Sequence, residues 1–315
     1  MNKSCKVTVA YTSFYLGYND SFVLWEWPLR RWIYFFNVTF VPAPLENNPQ
    51  LVFVGVWGER EKIHTLQRNM LHSAFIFITG ENADAHYPNL SDYLLGSNIK
   101  LAFGPKRMQV HQDNQRAIRL PHWLSSSIDP ATCSLPTLPD IDVDSWRTRP
   151  YFASLVASHA SFPRTELVRA LSAVGPVLCP GRALHNTKFY LNNTLDSKLN
   201  FFRKCKFCIV PENSIGKGYM SEKLIQALSA GCVPVYYSGW LEPEVFNPAR
   251  YILFDGNFTT VIDRVKELIQ NENAANRFFS EPVFLPTGKR FLHDLCASVT
   301  DSWTWLRNSH TGLCK

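Results

Sequence analysis

No stretch of this 315-residue chain is long and apolar enough to span a bilayer, a task that takes about 20 consecutive, mostly apolar residues. The most apolar long region, Phe22 to Val41, is broken by Glu26, Arg30 and Arg31, and Met1–Ala10 lacks the apolar run of a secretory signal. No membrane span is expected. Long Lys/Arg runs are also missing. The 32 Lys+Arg against 26 Asp+Glu leave a net charge of +6, but the basic residues are dispersed. No nucleic-acid partner is expected, and a small anionic ligand suits the excess equally well. Eight cysteines are too few for a disulfide scaffold. Cys205 and Cys208 have the C-x-x-C spacing of a redox or zinc pair, yet Lys204–Val210 reads as a buried strand and no second pair follows. A core strand is expected there. The Gly-x-Ser-x-Gly elbow of a Ser-His-Asp hydrolase is lacking. His122, His159 and His185 make no cluster, so structural histidines are expected. Internal repeats and low-complexity segments are missing too. The sequons at Asn37 and Asn257 carry no weight without a secretion signal.

What is present is an ordinary globular composition, 46% hydrophobic and 18% charged, with length enough for two domains. Lys6–Ala10 reads as a first strand, and continuous apolar runs at Leu51–Val56 and Ala74–Ile78 flank a polar helical stretch at Glu61–Leu71. Apolar strands separated by helices predict a parallel sheet covered on both faces. From Ser125 to Pro150 prolines bracket few periodic residues, which reads as a connection between domains. The second half repeats the alternation. Phe152–Ala157, Phe207–Val210 and Cys232–Tyr237 read as strands, and Pro163–Val174 and Ser221–Ala230 as helices, with Gly231 as a C-cap. Strand, loop, helix and strand across residues 207–237 make a βαβ unit. Leu292, Leu295, Val299, Trp303 and Leu306 give the tail an amphipathic helical spacing. The expected organisation is an α/β chain: residues 1–148 as a first domain, 149–287 as a second, and 288–315 as a helix packing back on the first.

The strongest chemical signal is Pro211-Glu212-Asn213-Ser214-Ile215-Gly216-Lys217-Gly218-Tyr219-Met220-Ser221-Glu222-Lys223. It lies where a strand ends and a helix begins, the place where open α/β sheets bind ligands. Gly216 and Gly218 let the backbone come close to a ligand, and helix-start N–H groups favour an anion. Lys223 sits in the first turn, where the helix dipole disfavours a cation. A nearby phosphate would give it a reason to be there; otherwise it is an ordinary surface lysine. Arg164 repeats the pattern at its own helix start, and Arg suits bidentate phosphate contact, although a solvated Arg is the plainer reading of that residue alone. Glu81, in the turn after Ala74–Ile78, is placed for general-base work; alone it would be an exposed turn residue.

Together these residues resemble the α1,3/α1,4-fucosyltransferase family. The family pattern Phe-Glu-Asn-Ser, a gap, Tyr-[Val/Ile]-Thr-Glu-Lys and a Pro-containing strand is matched by Pro211-Glu212-Asn213-Ser214, Tyr219-Met220-Ser221-Glu222-Lys223 and Ala230–Tyr236. Phe77–Asn82, Asp92–Gly96, Arg119-Leu120-Pro121, Ala157-Ser158 and Pro163-Arg164 look like further landmarks in family order. Pro211 replaces the usual Phe and Ser221 the usual Thr, without loss of a charged group. The resemblance implies two Rossmann-like domains facing across a cleft (the GT-B architecture). It also implies inverting transfer of L-fucose from GDP-β-L-fucose to a glycan hydroxyl, of α1,3 type. Glu81 matches the general base and Glu222 a carboxylate beside the fucose. Arg164 and Lys223 match the cations on the diphosphate, and Asn213, Tyr219, Ser221 and Gly218 match donor-contact positions.

On this reading the partners are a GDP-sugar donor and an oligosaccharide or glycoconjugate acceptor, no cofactor is required, and a divalent metal is not essential. Asp140, Asp142 and Asp144 include the Asp-x-Asp spacing of metal-dependent transferases, but they fall in the proline-rich connection and read as a solvated acidic linker. The expected setting is the cytoplasm of a bacterium or virus-infected cell, unless the chain is a trimmed lumenal domain. The Cys205–Cys208 spacing and the Gly231–Val235 wording also resemble exostosin-like transferases, which lack the Thr-Gly-Glu-Asn and Glu-Lys pairing; these, or another nucleotide-sugar transferase with a different donor, are the alternative enzyme reading. A catalytically inactive sugar- or nucleotide-binding module is the non-enzyme alternative, since fold does not fix function.

Overall fold

The computed structural model describes residues 5–12, 38–56, 60–82, 85, 99–105, 114–127, 134–310 and 313. Residues 22–37 of the aromatic region, with the Asn37 sequon, and the landmark at residues 92–96 lie outside the described residues.

The chain forms two compact units. The first comprises Met1–Leu135, Gly216–Ser221 and Arg290–Lys315. Its sheet holds β1 (Cys5–Thr12), β2 (Val38–Pro42), β3 (Leu51–Val54), β4 (Ala74–Ile78), β5 (Ile99–Gly104) and β6 (Arg116–Arg119), in the order β2-β1-β3-β4-β5-β6. Every pairing is parallel. β3 and β4 are buried along their whole length, as strands covered on both faces must be. α1 (Arg60–Asn69) connects them. β6, Arg-Ala-Ile-Arg, stands at one end of this order among the described residues, where charged side chains suit an edge strand. α2 (His122–Ser127) follows it.

The second unit comprises Pro136–Ile215 and Glu222–Lys289. Its helices are α3 (Val143–Arg147), α4 (Arg164–Ser172), α5 (Leu195–Phe202), α6 (Lys223–Ser229), α7 (Phe258–Gln270) and α8 (Glu272–Ser280). The strands β7 (Tyr151–Leu155), β8 (Val177–Leu178), β9 (Cys205–Ile209), β10 (Val233–Tyr236) and β11 (Ile252–Leu253) form a second parallel sheet, ordered β11-β10-β9-β7-β8. Leu167 and Leu171 of α4, and Val261, Val265 and Leu268 of α7, bury against Phe207, Ile209, Val233 and Val235. Cys205 and Cys208 are buried in β9, the core strand expected of them. The tail helix α9 (Thr287–Ser309) buries Leu292, Val299, Trp303 and Leu306, and the Trp303 ring meets Phe40 of β2 edge-on at 6.3 Å.

α6 ends as its sequence predicts. Gly231 has φ of +68°, its N–H reaches Leu228 O at 2.9 Å, and the Cys232 N–H reaches Ala227 O at 3.1 Å. That is a Schellman closure, which favours glycine at the left-handed position. A side-chain carbon there would collide with Ile141 and Arg149.

The proline-rich stretch is only partly a connection. Residues 143–147 form α3, capped by Asp142, whose carboxylate accepts from Ser145 N. Trp146 is fully buried in the second unit's core, donates Nε1–H to Lys206 O at 2.9 Å, and stands edge-on to Phe207 at 5.6 Å. A five-residue helix with one apolar pair has too short a period to register in sequence. Asp140 and Asp144 are solvent-exposed, as expected of a solvated stretch, whereas Asp142 serves as a helix cap.

Candidate active site

In the second unit, the candidate residues gather beyond the carboxyl ends of β7 and β9. The polypeptide leaves β7, turns at Ser161–Pro163 and enters α4 with Arg164 as its first residue. Arg164 is 3% exposed, so it is not a solvated side chain. One guanidinium nitrogen donates to His159 O at 2.8 Å, and another donates to Asn213 Oδ1 in a short contact. Two residues 49 positions apart are thus tied by a charge-assisted bond. Asn213 itself is exposed.

Lys223 opens α6, and Glu222 is that helix's N-cap residue, half-buried and with no side-chain bond of the capping kind. The anion that the sequence argument sought beside Lys223 is present within the protein. Its Nζ lies 3.1 Å from Glu212 Oε2, with side-chain exposures of 17% and 1% respectively. The other oxygen of Glu212 accepts from the Tyr236 hydroxyl at 3.0 Å. Burial alone would push the Lys223 ammonium down, but Glu212 and Glu222 outweigh it and hold the group above the ordinary lysine value. Tyr236 is pushed well up by burial and by the Glu212 charge, so it stays a neutral donor. Lys198 of α5 donates to Gln226 Oε1 of α6 at 2.8 Å. Burial lowers its pKa, Glu222 raises it and Lys223 lowers it further. Arg164, Lys198, Lys223, Glu212 and Glu222 therefore share one electrostatic neighbourhood.

Gly218, Tyr219 and Ser221 belong to the first unit, as does Glu81. All three loop residues are buried. Gly218 has φ of +79°, a conformation that other residues reach only with strain. Its carbonyl accepts from Arg119 at 3.4 Å, and Met220 O accepts from Trp123 N at 3.2 Å. Glu81 is half-buried, and its N–H is fixed by Thr79 Oγ1 at 3.0 Å. The neighbouring Asn82 lies against Gly216, where a side-chain carbon would meet its amide at 2.6 Å.

Among the described residues, no group of three His, Cys, Asp or Glu is placed to hold a metal ion, and no helix is long and apolar enough to cross a membrane. Glu212, Tyr236 and Lys198 are the site-forming residues that sequence reasoning passed over. Glu212 stands inside the quoted motif, and a carboxylate just past a buried strand was the signal available for it. Nothing local marks Tyr236 or Lys198.

The comparisons bear on the same segment. Residues 146–282 match the model of "Glycosyltransferase family 10 (fucosyltransferase) C-term", a span that holds Arg164, Asn213 and the whole loop to Lys223. The chain is 28% identical over 292 residues to the alpha-(1,3)-fucosyltransferase FucT of Helicobacter pylori, covering 83% of this chain and 58% of that protein. It is 27% identical over 95 residues to the putative fucosyltransferase R654 of Acanthamoeba polyphaga mimivirus, covering 29% of this chain and 15% of that one. The chain thus spans little more than half the length of the first of these relatives. A crystal structure of an α1,3-fucosyltransferase shares the fold with a TM-score of 0.63, at 20% identity over 95% of this chain and 91% of that one. The structure of an α1,3-fucosyltransferase with GDP-fucose gives 0.62, at 20% identity over 96% and 92%. Motif, family match and shared fold lead to one assignment: residues 146–282 form a glycosyltransferase family 10 (fucosyltransferase) domain.

Proposed function

We propose that this chain moves L-fucose from GDP-β-L-fucose to a glycan hydroxyl with inversion, forming an α1,3-type linkage. The observation that carries the reading is the pair of anchored cations, Arg164 and Lys223, in the family-matched domain. Arg164, held by His159 O and Asn213, is assigned to the diphosphate oxygens, and Lys223 is assigned the second positive charge there. As the bond to GDP breaks, negative charge grows on the leaving phosphate. Fixed cations stabilise that change without reorganising. Glu222 stands beside Lys223 in sequence and lies close enough to bias its charge; it is assigned to the positive character developing on the sugar ring. Gly218, Tyr219 and Ser221 are assigned to donor contacts, and Glu81 to the proton of the acceptor hydroxyl. Base on one side and charge neutralisation on the other are what a single inverting displacement requires.

The two cations are assigned to the diphosphate, so the mechanism as proposed calls on no divalent metal and no cofactor. The proposed setting is the cytoplasm of a bacterium or virus-infected cell. The donor class is tested by thermal shift across nucleotide sugars. A ligand at a hundred times its Kd stabilises by about 2.7 kcal/mol. GDP and GDP-fucose should therefore raise Tm on the order of 5 °C, and UDP-sugars hardly at all. The reverse ranking would sink the GDP assignment.

A further inference from the structure

The transfer mechanism gives Glu212 no part, yet its surroundings are specific. Its side chain is 1% exposed, and a carboxylate taken that far from water needs partners for both oxygens. Oε1 takes the hydroxyl of Tyr236, a wholly buried residue at the end of β10, and Oε2 takes the ammonium of Lys223. The Glu212 backbone is pinned as well, its N–H bonding Tyr237 O at 2.8 Å. A chain of contacts therefore runs from an interior strand, through a buried carboxylate, to the ammonium of Lys223, whose side chain as a whole retains 17% exposure. Lysine has a flexible four-carbon stem and loses substantial rotamer entropy when ordered. A lysine already tied by its ammonium has met that cost before any ligand arrives.

We propose that Glu212, anchored by Tyr236, is a positioning residue for Lys223: it fixes the ammonium in place and keeps it charged ahead of donor binding. The transfer arm of this claim rests on the function proposed above; the charge arm does not. Glu212 is not placed on the substrate and acts through Lys223. The other charges around that ammonium are Glu222 before it on the chain, Arg164 at the start of α4 and Lys198 on α5. Glu222 assists Glu212, and the two cations oppose it. A purely structural ion pair would have the same distances, so the test must read coupling rather than stability.

The experiment compares Glu212→Gln, Glu212→Asp, Tyr236→Phe, Lys223→Met and the double variant Glu212→Gln/Lys223→Met. It reads kcat/KM for transfer from GDP-fucose, and the pH dependence of Lys223 acetylation by acetic anhydride, followed by mass spectrometry. Glu212→Gln should lower kcat/KM by about tenfold or more, the scale for truncating one partner of a buried charge pair. The double variant should be no worse than Lys223→Met alone, because the two residues act as one unit. Lys223 in Glu212→Gln should become reactive at lower pH, by about one unit. Glu212→Asp keeps the charge but draws it back, so it should lose transfer while leaving the acetylation profile near wild type. Tyr236→Phe should lose transfer by a smaller factor. If Glu212→Gln does not fold, Glu212→Asp decides, and wild-type transfer by it overturns the proposal. Additive losses in the double variant, or an unmoved acetylation profile in Glu212→Gln, overturn it too. If the wild-type chain transfers no fucose, the proposed function fails on its own, and the acetylation arm alone decides whether Glu212 holds the Lys223 charge.

Discussion

Lys223 occupies a position that helix electrostatics disfavour, and Glu212 is the reason it can. The positive end of a helix repels a cation in the first turn, but a buried carboxylate 3.1 Å away outweighs that repulsion. The sign of the linkage follows from the raised value of Lys223. Its contribution to stability is complete below the unfolded lysine value of about 10.4 and is lost as pH climbs through the folded value. Transfer measured between pH 6 and 9 should therefore carry no titration of Lys223. The sequence made Arg164 and Lys223 legible because each stands at a helix start beside a recognisable motif. It could not reveal the Glu212–Tyr236 bond, whose partners are 24 residues apart and meet only when β9 and β10 pair. Asp142 marks the converse. Its Asp-x-Asp spacing suggests a metal, while its carboxylate caps α3 through Ser145 N. Asp142→Ala should cost about 1 kcal/mol in urea denaturation, the usual worth of an N-cap. Replacing Asp142 and Asp144 together should leave GDP affinity by calorimetry unchanged. A collapse of metal-dependent activity in that double variant would overturn the metal-free mechanism.

Between residues and whole units stands the segment β9, loop, α6 and β10. Its strands and helix were readable because β9 and β10 are short apolar runs and Leu224, Ala227 and Leu228 mark a buried face on α6. Gly231 joins α6 to β10 through a left-handed turn with no room for a side chain. Gly231→Ala should destabilise by about 2 kcal/mol or more, adding a left-handed penalty to a collision with Ile141 and Arg149. Urea unfolding checks this, and calorimetry on the folded fraction should show GDP affinity retained. A Gly231→Ala protein as stable as wild type would mean that the turn relaxes at little cost. Other elements carry no such pattern. α3 is too short to show a period, and β6 has an arginine at each end of four residues. Both are defined by what they pair with or bury against rather than by local propensity.

At the scale of the molecule, two parallel sheets each carry part of the candidate machinery. Arg164, Asn213, Glu222 and Lys223 belong to one unit, and Glu81, Gly218, Tyr219 and Ser221 to the other. The parallel character of both sheets was legible because strands such as β3 and β4 are apolar on both faces. That Gly216–Ser221 leaves its sequence neighbours to join the first unit was not, since no local pattern records where a glycine-bearing loop comes to rest. The family match over residues 146–282 names the chemistry to be tested, and the anchored cations mark where to look for it. The most direct measurement is NMR of the product formed from GDP-β-L-fucose and an N-acetyllactosamine-type acceptor. The account predicts release of GDP and an α-linked fucosyl product, the inverted anomer; a β-linked product, or turnover of a UDP-sugar in place of GDP-fucose, would contradict it.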